Sequence, residues 1–261
     1  MKKILTIAGS DCSGGAGIQA DIKTITAHKM YAMSVITSLT AQNTTGIFGI
    51  YDVDEDFVRK QLDAVFSDIR PDAVKIGMVS NAAIIRAVAK KLEEYKAENI
   101  VIDPVMMSTS GSSLLSVDAK KTLTSMLIPM GRIVTPNIAE AQALSGINIL
   151  ARPEMITAAE IIASKFCKNA AVLIKGGHLD DSSDDLLFKN GKATWFPAEK
   201  IANNNTHGTG CTLSSAIACF LADGLNEEES VYNAKLFITG ALTSGLNIGK
   251  GNGPLNHCFN L

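Results

Sequence analysis

The chain has 261 residues, 46% of them hydrophobic and 19% charged, with a formal net charge of −2. That length suits one α/β domain over residues 1–261, the composition supplies a core, and the charge excludes a nucleic-acid binder built on a basic stripe. Five scattered cysteines with no C-x-x-C pair argue against a disulfide framework and a zinc site.

A reducing cytoplasm is the expected compartment. The apolar run 4–8 is too short for a signal peptide, and no stretch approaches the length of a membrane span. Short β-branched runs alternate with amphipathic ones. Strands are expected at 4–8, 34–38, 73–76, 100–103, 133–135 and 172–175. Helices are expected at 16–28, 55–68, 81–95, 117–127 and 153–167. This alternation reads as βαβ units and a mostly parallel sheet. Residues 184–189 and 193–196, joined by Asn190-Gly191, read as an edge hairpin. Two helices close the chain, at 209–222 and 227–246, and another starts at Asn137 after Pro136.

In such sheets ligands bind beyond the carboxyl ends of the strands. The segments 9–17, 42–44, 103–106, 137–140 and 175–178 all follow predicted strands, so one cleft can gather them. Gly15-Ala16-Gly17-Ile18-Gln19-Ala20 matches the dinucleotide pattern G-x-G-x-x-A. However, it falls well after the first strand, and no acidic residue ends the second. A loop that lets backbone approach a flat ring fits better, with Asp11 and Asp21 as nearby acceptors. A plain surface loop is the bland alternative.

Thr206-His207-Gly208-Thr209-Gly210-Cys211 opens a helix. Successive N–H groups and the helix dipole there suit the charge developing on a transferred phosphoryl group. Asn137-Ile138-Ala139-Glu140 offers phosphate and Mg²⁺ contacts, although Asn-x-x-Glu is also a capping pattern that spacing alone favours, and the two roles can coexist. Lys175, ending a buried strand before Gly176-Gly177, can reach phosphate as a point charge.

Taken in order, these strings resemble the hydroxymethylpyrimidine/phosphomethylpyrimidine kinase family of the ribokinase superfamily. The resemblance runs from Thr6-Ile7-Ala8-Gly9-Ser10-Asp11 to Gly249-Lys250-Gly251-Asn252-Gly253-Pro254. It also rests on the stretch 13–21 and on Ala41-Gln42-Asn43-Thr44, Lys75-Ile76-Gly77-Met78, Asp103-Pro104-Val105-Met106, Thr135-Pro136-Asn137 and Lys175-Gly176-Gly177-His178. The resemblance implies a ribokinase-like three-layer sandwich, usually a homodimer, and ATP-dependent, Mg²⁺-dependent phosphorylation of hydroxymethylpyrimidine and its monophosphate in thiamin biosynthesis. Gln42 would read the aminopyrimidine edge, and Gly9, Ala16, Asp21, Met78 and Val105 would line the ring pocket. Gly208, Thr209 and Gly210 would form the anion hole. Cys211 stands where most relatives carry an aspartate base. A helix N-terminus can lower a thiol pKa, and His207 is the next candidate base. Asn137 and Lys175 would serve phosphate, and Glu140 and Asp103 the metal. Cys12 replaces a common proline. Lys235 falls in the region suspected for adenine, and Gly249–Pro254 either closes over a ligand or anchors the tail. A pyridoxal kinase of similar build is the alternative, and a non-catalytic pyrimidine-binding regulator a weaker one. Neither a nucleic-acid nor a membrane partner is expected.

Overall fold

The structure is a computed structural model. It describes residues 1–106, 115–167, 169–177, 183–198, 201 and 203–260. Among these, nine strands form one sheet in the order β3-β2-β1-β4-β5-β6-β7-β8-β9. The strands are β1 (Lys3–Asp11), β2 (Tyr31–Asn43), β3 (Gly46–Asp52), β4 (Ala73–Ile76), β5 (Ile100–Ile102), β6 (Ile133–Val134), β7 (Ala171–Ile174), β8 (Asp185–Lys189) and β9 (Lys192–Phe196). The six from β2 to β7 run parallel, and β3, β8 and β9 are antiparallel additions at the edges.

Alternation along the central strands feeds two helical layers. Leu5, Ile7, Val74, Ile76, Val172 and Ile174 face α2 (Glu55–Asp68), α3 (Ala82–Glu94), α4 (Val117–Thr122), α5 (Ile138–Ser145) and α6 (Arg152–Phe166). Ile4, Ala73, Val101, Ile133, Ala171 and Leu173 face α1 (Gly17–Ala27), α7 (Thr209–Ala222) and α8 (Glu227–Thr243). Burial on both faces is why these strands read as continuous apolar runs. The three-layer α/β architecture is the expected one. No helix among the described residues is long and apolar enough to cross a membrane.

The Asn-Gly hairpin forms with both turn residues at positive φ, 51° at Asn190 and 78° at Gly191. Strand β3 escaped the sequence reading, because it contains Gly46 and Gly49 and most of its side chains are exposed. It extends β2 well beyond 34–38. The helix expected at 117–127 is a short α-helix that widens into a π-turn over Leu123–Leu127. Strands β5, β6 and β7 each stop one residue early. Asp103, Thr135 and Lys175 therefore fall just past the strand ends at the carboxyl edge, with Lys175 still bridged to Asn137.

Candidate active site

Two glycine segments, far apart in sequence, meet backbone to backbone at this edge. Gly208 has φ +89°, and a Cβ on it would lie 1.9 Å from the Gly15 carbonyl oxygen. Gly17, at φ +55°, is equally confined, since its Cβ would meet the Gly9 carbonyl at 2.2 Å. Only glycine permits that turn and that approach together.

The first turn of α7 carries the N–H groups of the Gly208–Cys211 run, of which Thr209 N donates to Thr206 O at 3.2 Å. A Cβ on Gly210 would sit 3.3 Å from both Asp103 Oδ2 and Lys175 Nζ, so the helix start abuts that pair. Lys175 Nζ donates to Asp103 Oδ1 at 2.7 Å, as does Thr135 Oγ1 at 3.1 Å. Burial works against the Lys175 charge. Asp103 and Glu140 outweigh it, and the ammonium pKa is raised. Gly176 N donates to Asp185 Oδ1, and Asp185 Oδ2 accepts from Lys235 Nζ at 2.7 Å. Lys235 is thus ion-paired to the carboxylate that holds the turn after Lys175. His178 lies outside the described residues.

Asn137 and Glu140 form a reciprocal capping box: Asn137 N donates to Glu140 Oε2 at 2.8 Å, and Glu140 N to Asn137 Oδ1 at 2.9 Å. Glu140 Oε1 also accepts from Met106 N. The capping geometry is therefore present, whatever else the carboxylate does. Burial pushes the Glu140 pKa up to about 7; Lys175 opposes the rise and Asp103 adds to it.

Cys211 corrects an expectation. Burial raises its thiol to about 11, outweighing the nearby Lys75 ammonium. The helix N-terminus does not make it a resting thiolate.

Gln42 is the penultimate residue of β2. Its backbone is clipped to Cys12 Sγ, which donates to Gln42 O at 3.2 Å and accepts from Gln42 N at 3.3 Å. Met78 packs against Gly9, where a Cβ would lie 3.3 Å from its sulfur. Ala16 caps α1, and Val105 follows β5 half-buried.

Asp21 is the second correction. Its side chain is 0% exposed and fully engaged, accepting from Lys75 Nζ at 2.8 and 2.9 Å, Thr6 Oγ1 and Ser215 Oγ. It is a counter-ion beneath the cleft and not a wall of it. Burial disfavours the Lys75 charge, but Asp21 reverses this and raises its pKa. A lysine inside the all-buried strand β4 was the signal for such a partner, because a buried charge requires one.

Asp11 and His207 were undervalued by sequence. Asp11 Oδ1 accepts from Ser13 N and Oγ, and Oδ2 from Gly15 N, Ala16 N and His207 Nε2, the last at 2.8 Å. Burial alone would raise its pKa, yet the His207 and loop bonds hold it well below the usual carboxylate range. Residues 249–254 tie the tail across this corner. Thr44 Oγ1 accepts from Lys250 N and Gly251 N, and His207 N donates to Gly253 O.

A family model for phosphomethylpyrimidine kinase matches residues 11–256. The hydroxymethylpyrimidine/phosphomethylpyrimidine kinase of Escherichia coli is 46% identical over 263 residues, 98% of either chain. The thiamine biosynthesis bifunctional protein ThiED of Geobacter sulfurreducens is 48% identical over 255 residues, which cover 97% of this chain. The chain spans about half of that protein's length, 52%. Among solved structures, the ADP complex of Bacillus subtilis pyridoxal kinase superposes with a TM-score of 0.90 at 36% identity, covering 98% of this chain and 97% of that one.

Proposed function

Because the chain belongs to the phosphomethylpyrimidine kinase family, we propose that it transfers the γ-phosphoryl group of ATP to hydroxymethylpyrimidine, and then a second phosphoryl group to the resulting monophosphate, on the route to thiamin. The observation that carries this reading is the shared corner. Gln42, an amide able to pair with an aminopyrimidine, lies in contact with His207, directly before the anion-binding turn Gly208–Cys211.

The chain's own groups suit phosphoryl transfer, which depends on positioning and electrostatics more than on covalent chemistry. N–H groups at Gly208, Thr209 and Gly210 would hold the equatorial oxygens, with Lys175 and Asn137 beside them. Asp103 and Glu140 supply hard carboxylate oxygens next to the phosphate site. Among the described residues no cluster of three or more potential ligands occurs. That sparse set fits Mg²⁺, which keeps waters and substrate phosphates as its remaining ligands. When bound, the ion would neutralise charge on the phosphoryl oxygens.

Cys211 remains the group proposed to take the hydroxymethyl proton, through its rare thiolate form. The monophosphate, largely dianionic with a second pKa near ~6, needs no base. A homodimer is supported by the apolar outer strand, where Phe48 and Tyr51 are 70% and 71% exposed. The likeness to pyridoxal kinases favours a pyridoxal side activity as the second reading.

ATP consumption with hydroxymethylpyrimidine, its monophosphate and pyridoxal tests the proposal. Turnover of both pyrimidines above pyridoxal is expected. Turnover of pyridoxal alone would overturn it.

A further inference from the structure

The side chain of His207 is buried, and its Nε2 has two neighbours: Asp11 Oδ2 at 2.8 Å and the Gln42 amide at 3.2 Å. Asp11 is an acceptor there, since its two oxygens also take the N–H groups of Ser13, Gly15 and Ala16 and the Ser13 hydroxyl. Nε2 must therefore carry the hydrogen in any protonation state of the ring that keeps this bond. A ring N–H cannot accept, so an amide NH2 turned toward it would set two donors face to face. The atom placed nearest is the Gln42 nitrogen, but the two ends of an amide are nearly isosteric and the bonding pattern has to assign them.

The other end settles the assignment. The Gln42 amide also lies 3.2 Å from Thr40 Oγ1, whose single hydrogen is directed to Ser10 O at 3.0 Å. Thr40 can then accept from NH2, whereas a carbonyl there would compete for a hydrogen already given. With the carbonyl toward His207 and the NH2 toward Thr40, no two donors meet: Asp11 Oδ2 and the Gln42 carbonyl share the Nε2 hydrogen, and Thr40 Oγ1 accepts from the NH2. The opposite orientation sets the Gln42 NH2 and the His207 N–H face to face, two donors with no acceptor between them. A donor left facing another donor at this half-buried corner is disfavoured, because its hydrogen has no acceptor.

We propose that Asp11, His207 and Thr40 are positioning residues that lock the Gln42 amide in one orientation, and so decide which edge of a pyrimidine ring the site accepts. This rests on the reading that Gln42 meets the ring. A 4-aminopyrimidine offers an exocyclic donor beside a ring-nitrogen acceptor. Its 4-oxo analogue, with N3 protonated, offers the reverse. A locked amide matches one pattern; an amide free to turn accommodates both.

The test compares kcat/KM for hydroxymethylpyrimidine and its 4-oxo analogue in wild type, His207→Phe, Asp11→Asn, Thr40→Val and Gln42→Met, with a thermal melt of each. Wild type should prefer the amino ring by ~10²-fold or more. His207→Phe and Thr40→Val should each bring that preference within ~10-fold, chiefly through KM, as expected for binding polar groups. His207→Gln, which keeps a donor in reach of Asp11 and Gln42, should restore it in part. A purely structural role would lower activity on both rings equally and leave the ratio unchanged, and that result overturns the proposal. If His207→Phe fails to fold, Thr40→Val reads the same amide from its other end and decides alone. If Gln42→Met collapses the preference while His207→Phe and Thr40→Val keep it, the positioning inference fails and the functional reading stands. If wild type phosphorylates neither ring, the functional reading fails and takes the inference with it.

Discussion

Gly15 and Gly208 touch through their backbones, so the loop after β1 and the turn that opens α7 are one packed unit. Gly208→Ala would introduce a side chain at φ +89° and drive it into a carbonyl 1.9 Å away. Strain of this kind costs about 1–3 kcal/mol. A melting temperature several degrees lower and a loss of kcat/KM of ~10²-fold or more are expected, as for a disrupted oxyanion-type site. A variant with wild-type kcat/KM would show that the turn does not bind the transferred group.

Gln42 is proposed to carry the ring specificity. Gln42→Met should lose far more activity on hydroxymethylpyrimidine than on pyridoxal, because polar mismatch at a hydrogen-bonding site costs up to ~10⁴-fold. Steady-state kinetics on both substrates checks this. Equal losses would remove Gln42 from the role.

Glu140 both caps α5 and faces Lys175 and Asp103. Its folded pKa, raised to about 7 by burial, exceeds its ordinary 4.5. The stability tied to this group is therefore complete below the ordinary value and is lost as pH rises through about 7. Glu140→Gln keeps most of the cap and removes that loss. At pH 8 it should melt no lower than wild type while requiring more Mg²⁺. Unchanged Mg²⁺ dependence would leave Glu140 as a cap only.

Cys211 predicts a difference between the two transfers. With its thiol near 11, the thiolate fraction grows about tenfold per pH unit below that value. Alcohol phosphorylation should rise with pH from 7 to 9, and the monophosphate step should stay nearly flat. Cys211→Ala should abolish the rise. A flat wild-type profile for the alcohol, or a rise that survives in the variant, would exclude the thiolate as base and turn attention to His207.

The C-terminal tail adds an acid-sensitive anchor. His257 is buried, lies 2.8 Å from Thr212 Oγ1 in the first turn of α7, and has its pKa lowered to about 4, mainly by burial. Below its ordinary 6.5, the unfolded chain takes up a proton that the folded chain refuses. Stability is full above that value and falls as pH drops through about 4, by about 3 kcal/mol in all. Melting curves from pH 7 to 4 for wild type and His257→Gln should converge as pH falls. A constant gap between them would refute this.

Local pattern settled most of the architecture. Apolar runs bounded by turns marked the central strands, Asn190-Gly191 marked the hairpin, and Asn137 with Glu140 marked a helix start, because each is written in residues close in sequence. The glycine-rich strings were likewise legible by type and spacing, whereas Gln42 was singled out only through the family resemblance. Strand β3 was not, since its place depends on pairing with β2 and its exposed side chains carry no period. The partners of Asp21, the raised thiol of Cys211 and the Asp11–His207–Gln42 contact were also beyond local reading. Each joins groups brought together only when the sheet stacks its carboxyl ends against α7, where burial and neighbouring charge, both properties of the packed chain, decide what a side chain can do.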